Sequence, residues 1–122
     1  MKKILSLVLV LTMLMSMTAL AFAETGVDTN PVEKDGVKYR GTVKIGSVMC
    51  ETGAVAAVGI PYSQFYKLFV RYINEEMGGI AKDANGVGYY LDHKAYDDGG
   101  NAQNGQIFVN QLINDDRVFC MV

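Results

Sequence analysis

The side chains able to do chemistry in this chain are few. His93 is the only histidine. It stands in a stretch that alternates apolar and polar residues, with no Ser or Cys motif nearby. No nucleophile–base–acid set assembles around it, so neither a catalytic nor a ligand role is expected. Asp97-Asp98 has the composition of a carboxylate pair for acid–base or metal work. Its place just before Gly99-Gly100-Asn101 suits a turn into a helix, where such carboxylates accept backbone amides and face the positive helix start. Cys50 and Cys120 have no metal-ligand spacing. Catalytic residues, metal ligands and cofactors are accordingly not expected. Glu51 and Thr52, opening a loop of small residues, are the best ligand-site candidates. Loops at strand ends carry binding groups, but such residues also cap and hydrogen-bond the loop itself, and both readings stay open.

These groups need elements to position them. The run Val43-Lys44-Ile45-Gly46-Ser47-Val48-Met49-Cys50 is short, β-branched and bounded by Gly, which predicts a buried strand. A loop from Glu51 to Gly59 follows. From Pro61 to Met77 the period becomes helical, with Phe65, Leu68, Phe69, Tyr72 and Ile73 as an apolar stripe expected to cover a sheet. Pro61 suits a first helical turn, and Gly78-Gly79 a left-handed stop. Tyr89 to Tyr96 reads as a second strand whose alternation places it at a sheet edge. Asn101 can cap a second helix, Ala102 to Asn114. Arg117 to Val122 reads as a third, apolar strand.

The first 23 residues read as a signal peptide rather than fold. Lys2-Lys3 precedes an apolar core from Ile4 to Met17, 14 residues long, and Ala21-Phe22-Ala23 is a small-x-small cleavage site. That core is shorter than the ~20 residues that span a bilayer. Export to the periplasm or outside the cell is the expected localisation. The 99 residues beyond the cleavage site carry thirteen acidic and nine basic side chains, which argues against a nucleic-acid partner. Residues 24–41 read as an extended polar lead-in without a sustained period. The two Cys, though bound for an oxidising compartment, are expected to stay as free, mostly buried thiols.

Strand, helix, strand, helix, strand calls for an α/β fold with a doubly wound parallel sheet and right-handed crossovers. The third strand should be central, in the order 2-1-3. The chain stops there, so residues 42–122 are expected to be the truncated, N-terminal part of a longer α/β protein.

Thr42 to Val122, about 80 of those 99 residues, resembles the opening of type 1 periplasmic substrate-binding proteins, the branched-chain amino acid (Leu/Ile/Val) binding proteins of ABC transporters. The matching pieces are Val43-Lys44-Ile45-Gly46, the loop Thr52-Gly53-Ala54-Val55-Ala56-Ala57-Val58-Gly59, Tyr72-Ile73-Asn74 with Gly78-Gly79-Ile80, and Tyr96-Asp97-Asp98. The resemblance implies that residues 42–122 are the first part of the N-terminal ligand-binding lobe of a non-enzymatic solute-binding component that holds an amino acid between two lobes and delivers it to a membrane permease. It implies ligand contacts from Glu51, Thr52, Gly53 and Val58. Val58 stands where the family usually has an aromatic residue, so a ring contact with the ligand would be absent. The same pair of lobes serves elsewhere as the ligand domain of an extracellular receptor or sensor. An enzyme on a dinucleotide fold is less favoured, since Gly46, Gly53 and Gly59 are spaced seven and six apart rather than as Gly-x-Gly-x-x-Gly.

Overall fold

The computed structural model describes residues 26–122; the segment read as a signal peptide lies outside the described residues. The elements run β1 (Val27–Asp28), β2 (Val32–Lys34), β3 (Val37–Tyr39), β4 (Thr42–Met49), α1 (Ala56–Glu75), β5 (Tyr90–Asp97), α2 (Ala102–Asn114) and β6 (Cys120–Met121). This is an α/β arrangement on a partly parallel sheet. β4 pairs in parallel with β5 along its whole length, from Thr42 opposite Tyr90 to Met49 opposite Asp97. On its other edge it pairs in parallel with β6, Ile45 opposite Cys120. There Lys44 accepts from the Phe119 amide and donates to Gly26 O, because β1 occupies the start of that edge, antiparallel. The parallel strands therefore lie in the order β5-β4-β6. Among the described residues β5 pairs only with β4, the edge position its alternation predicts.

Strand alternation sends successive β4 side chains to opposite faces. Val43, Ile45 and Leu91 meet Val70 and Ile73 of α1 on one face. A Cβ on Gly46 would lie 2.8 Å from Leu112 of α2 on the other. One helix thus covers each face. Tyr96 of β5 joins α2 as well: its ring stacks on Phe108 at 4.9 Å, and its hydroxyl donates to Asp116 while accepting from Gln111.

α1 departs from expectation in two ways. It begins at Ala56, with Pro61 inside it and no side-chain cap. Ala56 and Ala57 favour the helix strongly enough to extend it upstream of Pro61. The carbonyl that Pro61 leaves without a donor belongs to Ala57, which is exposed and open to water. The second departure is its orientation. Of the expected stripe only Ile73 is buried, while Phe65, Leu68, Phe69 and Tyr72 are exposed. The inward face is Gly59, Ser63, Val70, Ile73 and Asn74. Gly59 abuts the Cys50 carbonyl, where a Cβ would collide, so the helix start presses on the end of β4 at a distance only glycine allows. Asn74 donates to Leu91 O and accepts from Leu91 N, both at 2.9 Å, as a neighbouring strand would. Helix termination is as expected: Gly78 and Gly79 are left-handed, and the Gly79 amide returns to Ile73 O.

α2 matches its predicted span, and Asn101 caps it by accepting from the Gln103 and Asn104 amides. The lead-in holds more structure than its composition suggested. β2 and β3 form a hairpin about Asp35-Gly36, both at positive φ, a turn suited to Asp-Gly. The third strand is shorter than read. Arg117 adopts a left-handed φ of 53°, which breaks the extended run, and β6 is exposed. Both thiols are free, Cys50 half-buried and Cys120 exposed rather than buried. Cys120 stands opposite Ile45, five residues before Cys50, or ~16 Å along the ladder at ~3.3 Å per residue, well past the disulfide range.

Candidate functional site

The loop after β4 and the turn after β5 meet at the carboxyl edge of the parallel strands, because the register places Met49 opposite Asp97. Asp97 is the organiser. Its Oδ1 accepts from the amides of Glu51 at 2.8 Å, Thr52 at 3.2 Å and Gly99 at 2.9 Å. The Thr52 hydroxyl and then these amides hold its carboxyl below the usual range. Asp98 accepts from the Gly100 amide at 2.8 Å. The Asp97-Asp98 pair thus serves backbone amides, as its place in a turn predicts. Among the described residues no group of acids, His and Cys could hold a metal ion.

Gly53 bends the loop at φ 80° and packs against the Gly99 carbonyl, so an added Cβ would clash. Glu51 is drawn back onto α1. Its carboxylate accepts from Ser63 in a short hydrogen bond and from Lys67 Nζ at 3.0 Å. The Ser63 bond first and Lys67 second lower its pKa. Neither partner was foreseen in the sequence. The signal was present, since Ser63 and Lys67 are four apart and share one helix face. Thr52 is exposed. Val58, in the first turn of α1, is 62 % exposed. The structure therefore brings Glu51, Thr52 and Gly53 together with Asp97 and Gly99. Val58 lies on the adjoining helix surface, its amide donating to Val55 O at 3.0 Å.

His93 has a partner that the linear sequence hid. Ser47, its neighbour across the β4–β5 ladder by two positions, places Oγ 2.8 Å from Nε2. This corrects the reading of an isolated histidine, yet the pair is not built as a nucleophile and base. Ser47 is 1 % exposed, so no substrate carbon can reach its hydroxyl. Burial, and then the Lys67 charge, push the imidazole pKa down, favouring the neutral ring. A cavity of about 280 Å³ lies beside His93, bounded by Tyr39, Lys67, Arg71, Asn74 and Glu75 among others. Its three basic and three acidic side chains balance, so it has no net attraction for an ion.

α1 starts at the loop with no side-chain cap and no acidic residue in its first turn. Backbone carbonyls take part of its amide capacity, Ala56 donating to Gly53 O and Val58 to Val55 O, while the positive end of its dipole, toward the carboxyl edge of the sheet, still favours a carboxylate or other anion. Comparison with protein-family models, curated proteins and solved structures yields no match to this chain.

Proposed function

We propose that this α/β unit is one ligand-binding lobe, of doubly wound type, in an exported solute-binding protein that captures an amino acid, branched-chain or similar, for an ABC permease. The observation that carries the reading is the meeting of the Glu51–Gly53 loop, the Asp97–Gly99 turn and the uncapped start of α1 at one edge. Ligands of open parallel sheets bind at that edge, where neighbouring strands lead to opposite faces. The positive end of α1 suits the carboxylate of an α-amino acid. Glu51 and Asp97 are occupied in shaping the loop, which fits a site that binds without reacting. Thr52, Gly53 and the exposed Val58 are the groups left to face a ligand. Closure on a second lobe would follow from ligand contacts made only in the closed form. A receptor's ligand domain would use the same geometry.

Calorimetric titration of the full-length protein with Leu, Ile, Val and a panel of other amino acids tests the proposal. Saturable binding of at least one is expected. Val58→Trp should change its affinity at least ~tenfold, about 1.4 kcal/mol, with the unfolding midpoint unchanged. Absence of any amino-acid binding by the folded protein would sink the proposal, and unchanged affinity in the variant would remove Val58 from the site.

A further inference from the structure

We infer that the outward face of α1 is a self-association surface, on which two copies of the chain pack α1 against α1, antiparallel, about a two-fold axis level with Lys67. Tyr62, Phe65, Leu68, Phe69 and Tyr72 follow helical spacing along one side. Each is between 48 and 59 % exposed. Phe65 and Phe69 stack on one another at 6.0 Å, so the surface is already ordered. The charged residues of the helix do not interrupt it: Lys67 is turned to Glu51, and Arg71 pairs with Glu75. Side chains of this size carry ~150–250 Å² each, so half-exposure of five leaves roughly 500 Å² of apolar surface. That is at the upper end of what a monomer's largest patch presents.

Area and symmetry select a second copy as the occupant. Doubling the patch gives about 1,000 Å², the floor for a specific interface, with the aromatic content such interfaces favour. A two-fold contact must be self-complementary. An axis level with Lys67 sets Tyr62 opposite Tyr72 and Phe65 opposite Phe69, apolar against apolar throughout.

The test uses the full-length protein in the form its host cell accumulates, studied by sedimentation over a range of concentrations. A concentration-dependent dimer is expected, lost in Phe65→Glu and in Phe69→Glu with the circular dichroism spectrum retained. Chains carrying Tyr62→Cys and Tyr72→Cys, each with Cys50→Ser and Cys120→Ser, provide a second readout. When they are mixed with a short bis-maleimide, the mixed pair should cross-link in large excess over either chain alone. That result decides the question even if the glutamate variants fail to fold. A monomer at every concentration overturns the inference and leaves the stripe to another segment, another protein or a lipid surface. A dimer indifferent to both glutamates overturns it too, as does cross-linking that favours Tyr62→Cys with itself.

Discussion

Asp97 and Glu51 are each held below their ordinary pKa by the loop they organise. The folded form binds their protons less tightly than the unfolded chain does. The stability they contribute is therefore present above about pH 4 and is lost as pH falls through the depressed values. His93 acts at a higher pH. Its folded pKa lies below the ordinary 6.5 because the ring is partly desolvated and Lys67 is near. Below pH 6.5 the unfolded chain takes up a proton that the folded chain resists, so stability falls as pH drops from there through the folded value. The denaturant midpoint of the full-length protein should decline between pH ~7 and ~5. His93→Gln, which keeps a polar group near Ser47, should flatten that decline. An equal decline in both proteins would assign the titration to another group.

The fit of α1 to the sheet depends on small and polar residues more than on large apolar ones. Gly59 and Ser63 let the helix approach β4, and the Asn74 amide satisfies both backbone groups of Leu91. Asn74 is 4 % exposed and Leu91 6 %, so water does not substitute freely when the amide is removed. Asn74→Leu leaves a buried donor and acceptor without partners, each costing ~1–3 kcal/mol. The full-length protein should lose about 2–4 kcal/mol in chemical denaturation. A loss below ~1 kcal/mol would mean that solvent reaches the edge of β5 once the side chain is gone.

Across the described residues, seven hydrophobic side chains form the buried core, whereas fourteen large ones are exposed. Several of the exposed set, including Phe119 and Met121, lie on or beside β6, whose outer edge offers unpaired backbone groups. So small a core leaves little surplus over chain entropy. Residues 24–122 expressed alone should bind a hydrophobic dye strongly and melt over a broad range. A sharp thermal transition with a dispersed NMR spectrum would show that the core suffices.

The order of elements, the β5-β4-β6 sequence of parallel strands, the span and cap of α2 and the glycine stop of α1 could all be read from the chain. Each depends on local spacing, turn chemistry or connection rules that act within a few dozen residues. The Asp35-Gly36 hairpin is also legible, for its turn residues are flanked by Val-Glu-Lys and Val-Lys-Tyr, although the polar composition around them masks the short strands. The inward face of α1 was not legible, because apolar residues line most of its circumference and periodicity alone does not choose among them. Tertiary contact chose, turning Gly59, Ser63 and Asn74 to the sheet since bulky rings cannot pass the Cys50 carbonyl. The candidate site divides in the same way. Loop composition marked Glu51, Thr52 and Gly53, and turn chemistry gave Asp97 to backbone amides. That Asp97 holds the Glu51 loop, and that His93 meets Ser47, are pairings 46 residues apart, set by the parallel register of β4 with β5. Only the folded sheet contains that register.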